Sequence, residues 1–232
     1  MYEQLTAALD EFEANDSLHA LVISGHGNYF TSGADMKEMP AYLVDKSVRR
    51  PSQSPVYTFM HRIIACKKML VAAVNGCAIG IGVTLLMHCD LVYAAESATF
   101  CTPFLRVGIV PEFASSYTFP HFLGPIVAND FIIRSKVYTA QEALNVKLVS
   151  DVFPTNGFLE KVLAEVEPIV TNHSNKMILP LYKSLLRREY TPKILKALAS
   201  EFDHMDRRAA SSEYLEFVLE LKKKFNKKRS KL

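Results

Sequence analysis

The chain has no tryptophan, only nine glycines in 232 residues and only four cysteines. The cysteines, Cys66, Cys77, Cys89 and Cys101, stand among apolar neighbours with no C-x-x-C pair and no secretory leader, so they read as reduced core residues rather than a disulfide framework. The seven histidines are scattered and none forms an H-x-x-x-H pair, so no metal is expected. Gly80-Ile81-Gly82 lacks the third glycine of a dinucleotide fingerprint and the following ribose-binding acid, which excludes a Rossmann site. A basic body is missing too. The formal charge is +3, but seven of the 27 Lys and Arg lie between Lys222 and Lys231, leaving 20 against 24 acids elsewhere. Such a charge run is a solvated end, and no nucleic acid partner is expected. Met69 to Cys89 carries no charge and is long enough to span a bilayer as a helix, yet Asn75-Gly76 and two further glycines cut it. No membrane span is expected.

What is present centres on residues 69 to 112. Met69 to Val74 is a short apolar run closed by the Asn75-Gly76 turn, which predicts a buried strand. Gly80-Ile81-Gly82 then leads into a helix through Thr84-Leu85-Leu86-Met87, a second strand follows at Asp90 to Ala94, and a turn ends at Pro111-Glu112. Upstream, Leu5, Leu9 and Phe12 share a helical face, Asn15-Asp16-Ser17 stops that helix, and Ala20 to Ile23 reads as a strand. A proline-punctuated loop from Pro40 to Pro55 precedes a helix over Val56 to Cys66. Downstream, helices are expected over Phe113 to Phe122 and Ile126 to Arg134. Thr139 to Glu142 spells a capping box, and Leu148 to Val152 is a last short strand. From Asn156 onward the pattern is helical, with apolar faces Phe158, Val162, Val166, then Ile194, Leu198, Met205, then Tyr214, Val218, Leu221, Phe225, packing outside the sheet core. The alternation predicts an α/β fold with a largely parallel sheet in one domain, 49% apolar and large enough for one sizeable core.

Two segments offer backbone donors. Glycines beside a helix start free the Ile81 N–H to point at an anion or a developing oxyanion, and Ser32-Gly33-Ala34-Asp35 is a second loop-to-helix junction whose Ala34 N–H can join it. Taken singly, each is equally a tight packing contact or a helix cap. Glu112 follows Pro111 at an expected helix start, where an acid also occurs for dipole reasons alone. Its neighbours Ile109, Val110 and Phe113 form an apolar setting that raises its pKa against the lowering by the helix end. A carboxylate so balanced can act as a base near neutrality. Ser230-Lys231-Leu232 reads as a peroxisomal address for an import receptor, held exposed by Lys227-Lys228-Arg229.

Val22-Ile23-Ser24-Gly25, Phe30 to Met36, Val74-Asn75-Gly76 through Gly82, and Cys89 to Ala94 together resemble the crotonase (enoyl-CoA hydratase/isomerase) superfamily. Within it, Thr102-Pro103-Phe104 and Gly108 to Pro120 look most like the peroxisomal 3,2-trans-enoyl-CoA isomerases. The resemblance implies a repeated ββα core over 1–152, a helical part of the same domain over 153–226 and a targeting tail over 227–232. The family's opening strand pair has no counterpart before Met1, which implies an open sheet edge. By resemblance, the oxyanion hole falls on the N–H groups of Ala34 and Ile81, the catalytic acid on Glu112, and CoA contacts on Ser32, Gly33, Ala34, Asp35 and Met36. The two glutamates of hydratases fall on Thr84 and Phe104, which favours a single-base isomerase. Acyl-CoA is then substrate, no cofactor is needed, subunits associate as trimers or hexamers, and the setting is peroxisomal fatty acid β-oxidation. The alternatives are a hydratase or dienoyl-CoA isomerase, or a non-catalytic CoA-binding or protein-interaction module like the crotonase-like domains of chromodomain proteins.

Overall fold

The structure is a computed structural model that describes residues 1–33 and 50–229. Ala34, Asp35 and Met36, most of the loop from Pro40 to Pro55, and Ser230, Lys231 and Leu232 lie outside these residues. Helix α1 (Tyr2–Ala14) buries Leu9 and Phe12, but Leu5 is 40% exposed, so the apolar face is one turn shorter than expected. The helix stops where Asn15 becomes extended and its side chain accepts from the N–H and hydroxyl of Ser17. That local turn competes with another helical residue.

Strand β1 (Ala20–Ser24) pairs in parallel with β3 (Met69–Val74), β3 with β5 (Leu91–Ala95), and β5 with β8 (Asp151–Phe153). Every residue of β3 is buried, as its uninterrupted apolar run requires when helices cover both faces of a sheet. Where a single sheet was expected, the described residues form two. Strands β2 (Tyr29–Thr31), β4 (Cys77–Ile79) and β6 (Thr99–Cys101) form a second parallel layer, closed by the antiparallel β7 (Tyr138–Thr139). These strands have two or three residues each, too few to display a period of two. Each of β2, β4 and β6 follows a strand of the first sheet across a short turn, which makes the core a repeat of ββα units. Asn75 ties two of those turns together: its Oδ1 accepts from the Gly25 N–H at 2.9 Å and its Nδ2 donates to the Gly27 carbonyl at 2.8 Å.

After α2 (Pro55–Ala65) and β4 comes α3 (Ile81–Thr84), which tightens into a 3-10 turn at Leu85–His88 where a continuous helix was expected. Helix α4 (Phe104–Val107) ends on a left-handed Gly108. The helix expected from Phe113 begins only at Ser115, as α5 (Ser115–Thr118), and loosens into a π turn at Phe119–Leu123. Helix α6 (Pro125–Ile132) follows, and α7 (Ala140–Asn145) opens with the expected capping box: Thr139 Oγ1 accepts from the Glu142 N–H, and Glu142 Oε2 from the Thr139 N–H.

The C-terminal helices pack directly on the core. Helix α8 (Phe158–Thr171) lays Phe158, Val162 and Val166 over Val71, Ala73 and Tyr93. Helix α9 (His173–Arg187) is pinned by charge. Lys183, 8% exposed, donates to Asp90 Oδ2 at 2.8 Å and to the Lys68 carbonyl at 2.6 Å, while Arg187 donates to Asp90 Oδ1 at 2.7 Å. Asp90 Oδ2 also accepts from the Leu70 N–H, so one carboxylate joins β3, the approach to β5 and α9. Helix α10 (Thr191–Ala209) sends Ile194, Leu198 and Phe202 into a cluster with Leu70, Ile81 and Phe113, and α11 (Ser212–Arg229) packs Phe217 against Gly108.

Asp90→Asn leaves the Lys183 ammonium buried without its counter-charge, so urea unfolding should show a loss of about 3 kcal/mol. The double variant Asp90→Asn/Lys183→Met should recover most of that loss, whereas additive losses would mean that the two residues do not act as a pair.

Candidate active site

Strand β4 ends at Ile79, and the next residue turns the chain. Gly80 has φ +59 and ψ −116, a conformation that side chains strongly disfavour, and it donates to the Cys101 carbonyl at 2.9 Å. Its own carbonyl takes the N–H groups of Val83 and Thr84, the first regular bonds of α3. The Ile81 N–H, at the first position of that helix, has no acceptor among the described residues. A Cβ built on Gly80 would lie 4.0 Å from Glu112 Oε1. The carboxylate therefore faces the same junction as the free N–H.

The second loop arrives from β2. A Cβ on Gly82 would meet the Thr31 methyl at 2.3 Å, so only glycine lets α3 lie against this strand end. Gly33 passes over the Ile79 carbonyl, 3.1 Å from its ideal Cβ position, and its N–H donates to Thr31 Oγ1. Ser32 is exposed between them. The chain is thus delivered beside Gly80 one residue before Ala34. Ala34, Asp35 and Met36, expected as a donor and as ligand contacts, are outside the described residues, as are Ser230, Lys231 and Leu232.

Glu112 does not stand at a helix start. Phe113 and Ala114 follow it in the left-handed region, at φ +58 and +59, and the helix begins after them. Two consecutive left-handed non-glycine residues cost about 1–2 kcal/mol each, so neighbouring groups must hold them. Four contacts do so. The Phe113 carbonyl accepts from His88 Nε2 at 2.8 Å, and the Glu112 carbonyl accepts from the Ser115 N–H at 3.1 Å. From α10, Glu201 accepts from the Ala114 N–H at 2.6 Å through Oε2 and from the Ser116 N–H at 2.8 Å through Oε1. His88 is buried and stacks on the Phe113 ring. Burial pushes its pKa down to about 4, so it is a neutral donor here.

The Glu112 carboxyl is pushed up to about 7, first by burial and then by the negative charge of Glu201. Burial also pushes Glu201 up to about 7, and its bonds from Ser116 and Ala114 oppose that rise. The Glu112 carboxylate accepts no hydrogen bond among the described residues, while that of Glu201 accepts two, so the first negative charge of the pair settles on Glu201. Tyr2 looks onto the same region: its phenol is pushed up to about 12 by burial, then by Glu112. Thr84 and Phe104 are both fully buried, and neither supplies an acid.

Glu201 and Tyr2 were not expected. Glu201 did have a signal, an acid on the apolar stripe of Ile194, Leu198 and Phe202 where a solvated charge has no place. Tyr2 had none. The arrangement as a whole, a carboxylate of raised proton affinity beside an unpaired backbone N–H, suits proton transfer next to a carbonyl whose oxygen gathers negative charge.

Residues 1–228 match the family described as "Enoyl-CoA hydratase/isomerase". Human enoyl-CoA delta isomerase 2 is 34% identical over 216 residues, 92% of this chain and 54% of that protein. Mouse peroxisomal enoyl-CoA delta isomerase 3 is 33% identical over 202 residues, 87% and 63%. Human chromodomain Y-like protein 2 is 35% identical over 185 residues, 75% and 36%. The chain thus spans about half to two thirds of the length of these isomerases. Among solved structures, an enoyl-CoA hydratase/isomerase from Pseudoalteromonas atlantica superposes with a TM-score of 0.84 at 32% identity, covering 96% of this chain and 86% of that one. With its ββα repeat, its paired sheets and this breadth of match, the chain belongs to the enoyl-CoA hydratase/isomerase, or crotonase, family.

Proposed function

We propose that the chain is an enoyl-CoA isomerase that moves a 3-cis or 3-trans double bond to the 2-trans position, with Glu112 as its one acid and base. The observation that carries this is the Glu112 carboxylate beside the Gly80-Ile81 junction, in a chain whose positions for hydratase glutamates hold Thr84 and Phe104. Glu112 removes a proton from C2 of the 3-enoyl thioester, and the electron pair spreads over a dienolate. The thioester oxygen takes hydrogen bonds from the N–H groups of Ile81 and Ala34. Glu112 then returns its proton at C4, which re-forms the thioester carbonyl and leaves the conjugated 2-trans product. One carboxyl performs both transfers, and no step calls for a metal or redox group.

Acyl-CoA is the substrate in this reading, with Ser32, Gly33, Ala34, Asp35 and Met36 at its CoA moiety and a trimer or hexamer as the working assembly. The proposed site of action is the peroxisome, the compartment in the name of the mouse isomerase 3, with Ser230, Lys231 and Leu232 as the tripeptide read by an import receptor. The 35% identity to a chromodomain Y-like protein favours one rival, a crotonase-like module that acts by binding.

Purified chain should convert 3-enoyl-CoA to the 2-trans isomer, and Glu112→Gln should lower kcat by about 10²–10⁴-fold. Water addition to a 2-enoyl-CoA would identify a hydratase, and a folded chain that binds acyl-CoA but turns over neither substrate would establish the binding module. The raised pKa of Glu112 also ties stability to pH. Its proton is held more tightly in the folded chain than in the unfolded one, so its stabilising contribution is complete below about 4.5 and is lost as pH rises through about 7. Glu112→Gln should therefore be the more stable protein at pH 8, by about 1–3 kcal/mol in denaturant unfolding, with the gap closing toward pH 4.5.

A further inference from the structure

We propose that Glu201 is a positioning residue for the base: its carboxylate, reaching from α10, holds the left-handed turn at Phe113-Ala114 that aims Glu112 at Gly80. The proposal rests on the reading of Glu112 as the base. Glu201 is 5% exposed and lies between Leu198 and Phe202 on the buried face of its helix. A carboxylate is retained at such a position only when its oxygens are occupied. Both are, by the N–H groups of Ala114 and Ser116, at 2.6 and 2.8 Å.

Those two N–H groups belong to the segment that departs most from what its sequence favours. Phe113 to Phe122 carries a helical pattern, and a right-handed helix starting at Phe113 would carry the Glu112 backbone along the helix axis. The left-handed pair reverses the chain instead, so Glu112 Oε1 comes within 4.0 Å of the Gly80 Cβ position. His88 fixes the carbonyl side of the reversal and Glu201 its N–H side. A neutral amide at 201 has one acceptor oxygen and presents an NH2 to the other N–H, so it cannot hold both ends.

Among the described residues, the titratable and charged groups around the turn include Glu112, Glu201, Tyr2, Tyr117 and His88, whose carbonyl accepts from Arg187, with His61 behind the Tyr57 ring that packs on Phe202. His88 is neutral above about 4 and Tyr2 protonated below about 12. Burial lowers the His61 pKa, so this histidine too is neutral near pH 7.

The test compares wild type, Glu201→Gln, Glu201→Asp and, as control, Glu112→Gln. It uses isomerase kinetics from pH 5 to 9 and a carboxyl-carbon NMR titration of ¹³C-glutamate-labelled protein, with the Glu112 signal assigned by its loss in Glu112→Gln. Glu201→Gln should lower kcat about 10- to 100-fold with KM changed less than about threefold, the pattern of a misplaced base rather than of lost binding. It should also move the midpoint of the acid limb and the Glu112 titration to lower pH. Glu201→Asp, which keeps the charge, should restore the midpoints more fully than the rate. Should Glu201→Gln fail to fold, Glu201→Asp alone decides, by a lowered kcat at an unmoved midpoint. Unaltered kcat and an unmoved Glu112 midpoint in the folded variants, with Glu112→Gln inactive, would overturn the role of Glu201 and leave the isomerase reading intact. An inactive wild type in which the Glu112 midpoint still follows residue 201 would sink the isomerase reading while upholding the hold on the turn.

Discussion

The chain reversal at Phe113 and Ala114 is the constraint on which the candidate site depends. Neither residue gains anything locally from a left-handed backbone, and the side chain of the preceding Glu112 accepts no hydrogen bond among the described residues to fix it. The geometry is imposed from two sides, by His88 at the end of the β4 unit and by Glu201 from the C-terminal helices. A turn strained in this way exists only when both flanks are assembled, which makes the docking of α10 a condition of the candidate site as well as of the fold.

That docking rests on a deeper layer of contacts. Strand β3 is buried along its whole length between two parallel neighbours, and Asp90 links its start to Lys183 and Arg187 on α9. Helix α9 precedes α10, so the ion pair sets the path by which α10 reaches the reversal. Farther along, Arg208 donates to the Gly108 carbonyl and Phe217 covers the same glycine, which holds the segment leading to Glu112. Sheet, ion pair and apolar helix faces thus place one loop in succession.

Much of this was legible in the sequence, and what was not has physical causes. Met69 to Val74, Ala20 to Ile23, the helix over 56–66 and the Thr139 capping box announced themselves because each carries its own periodicity, boundary or cap. The second sheet did not, since strands as short as Tyr29–Thr31 and Cys77–Ile79 are fixed by pairing with remote neighbours. Glu112 and Gly80-Ile81 could be named as candidates from residue type and resemblance. Their meeting could not be read locally, because the turn joining them contradicts the helical pattern of its own residues. The acid at 201 was visible as a charge on an apolar stripe, but its partners are backbone groups 85 and 87 residues away, to which a pattern gives no pointer.

The two carboxyls also explain each other's chemistry. In the proposed reaction, a base that first takes a proton at C2 and later surrenders it at C4 works best when neither protonation state is far out of reach, which means a pKa near the working pH. Burial alone would push it upward by an amount set by packing. Glu201 adds a negative charge that its two N–H donors favour against the effect of burial, so the elevation of Glu112 is coupled to the same contacts that hold the turn. In such a design geometry and proton affinity meet in one side chain, because removing the Glu201 carboxylate takes away both the field at Glu112 and the two acceptors that hold the turn.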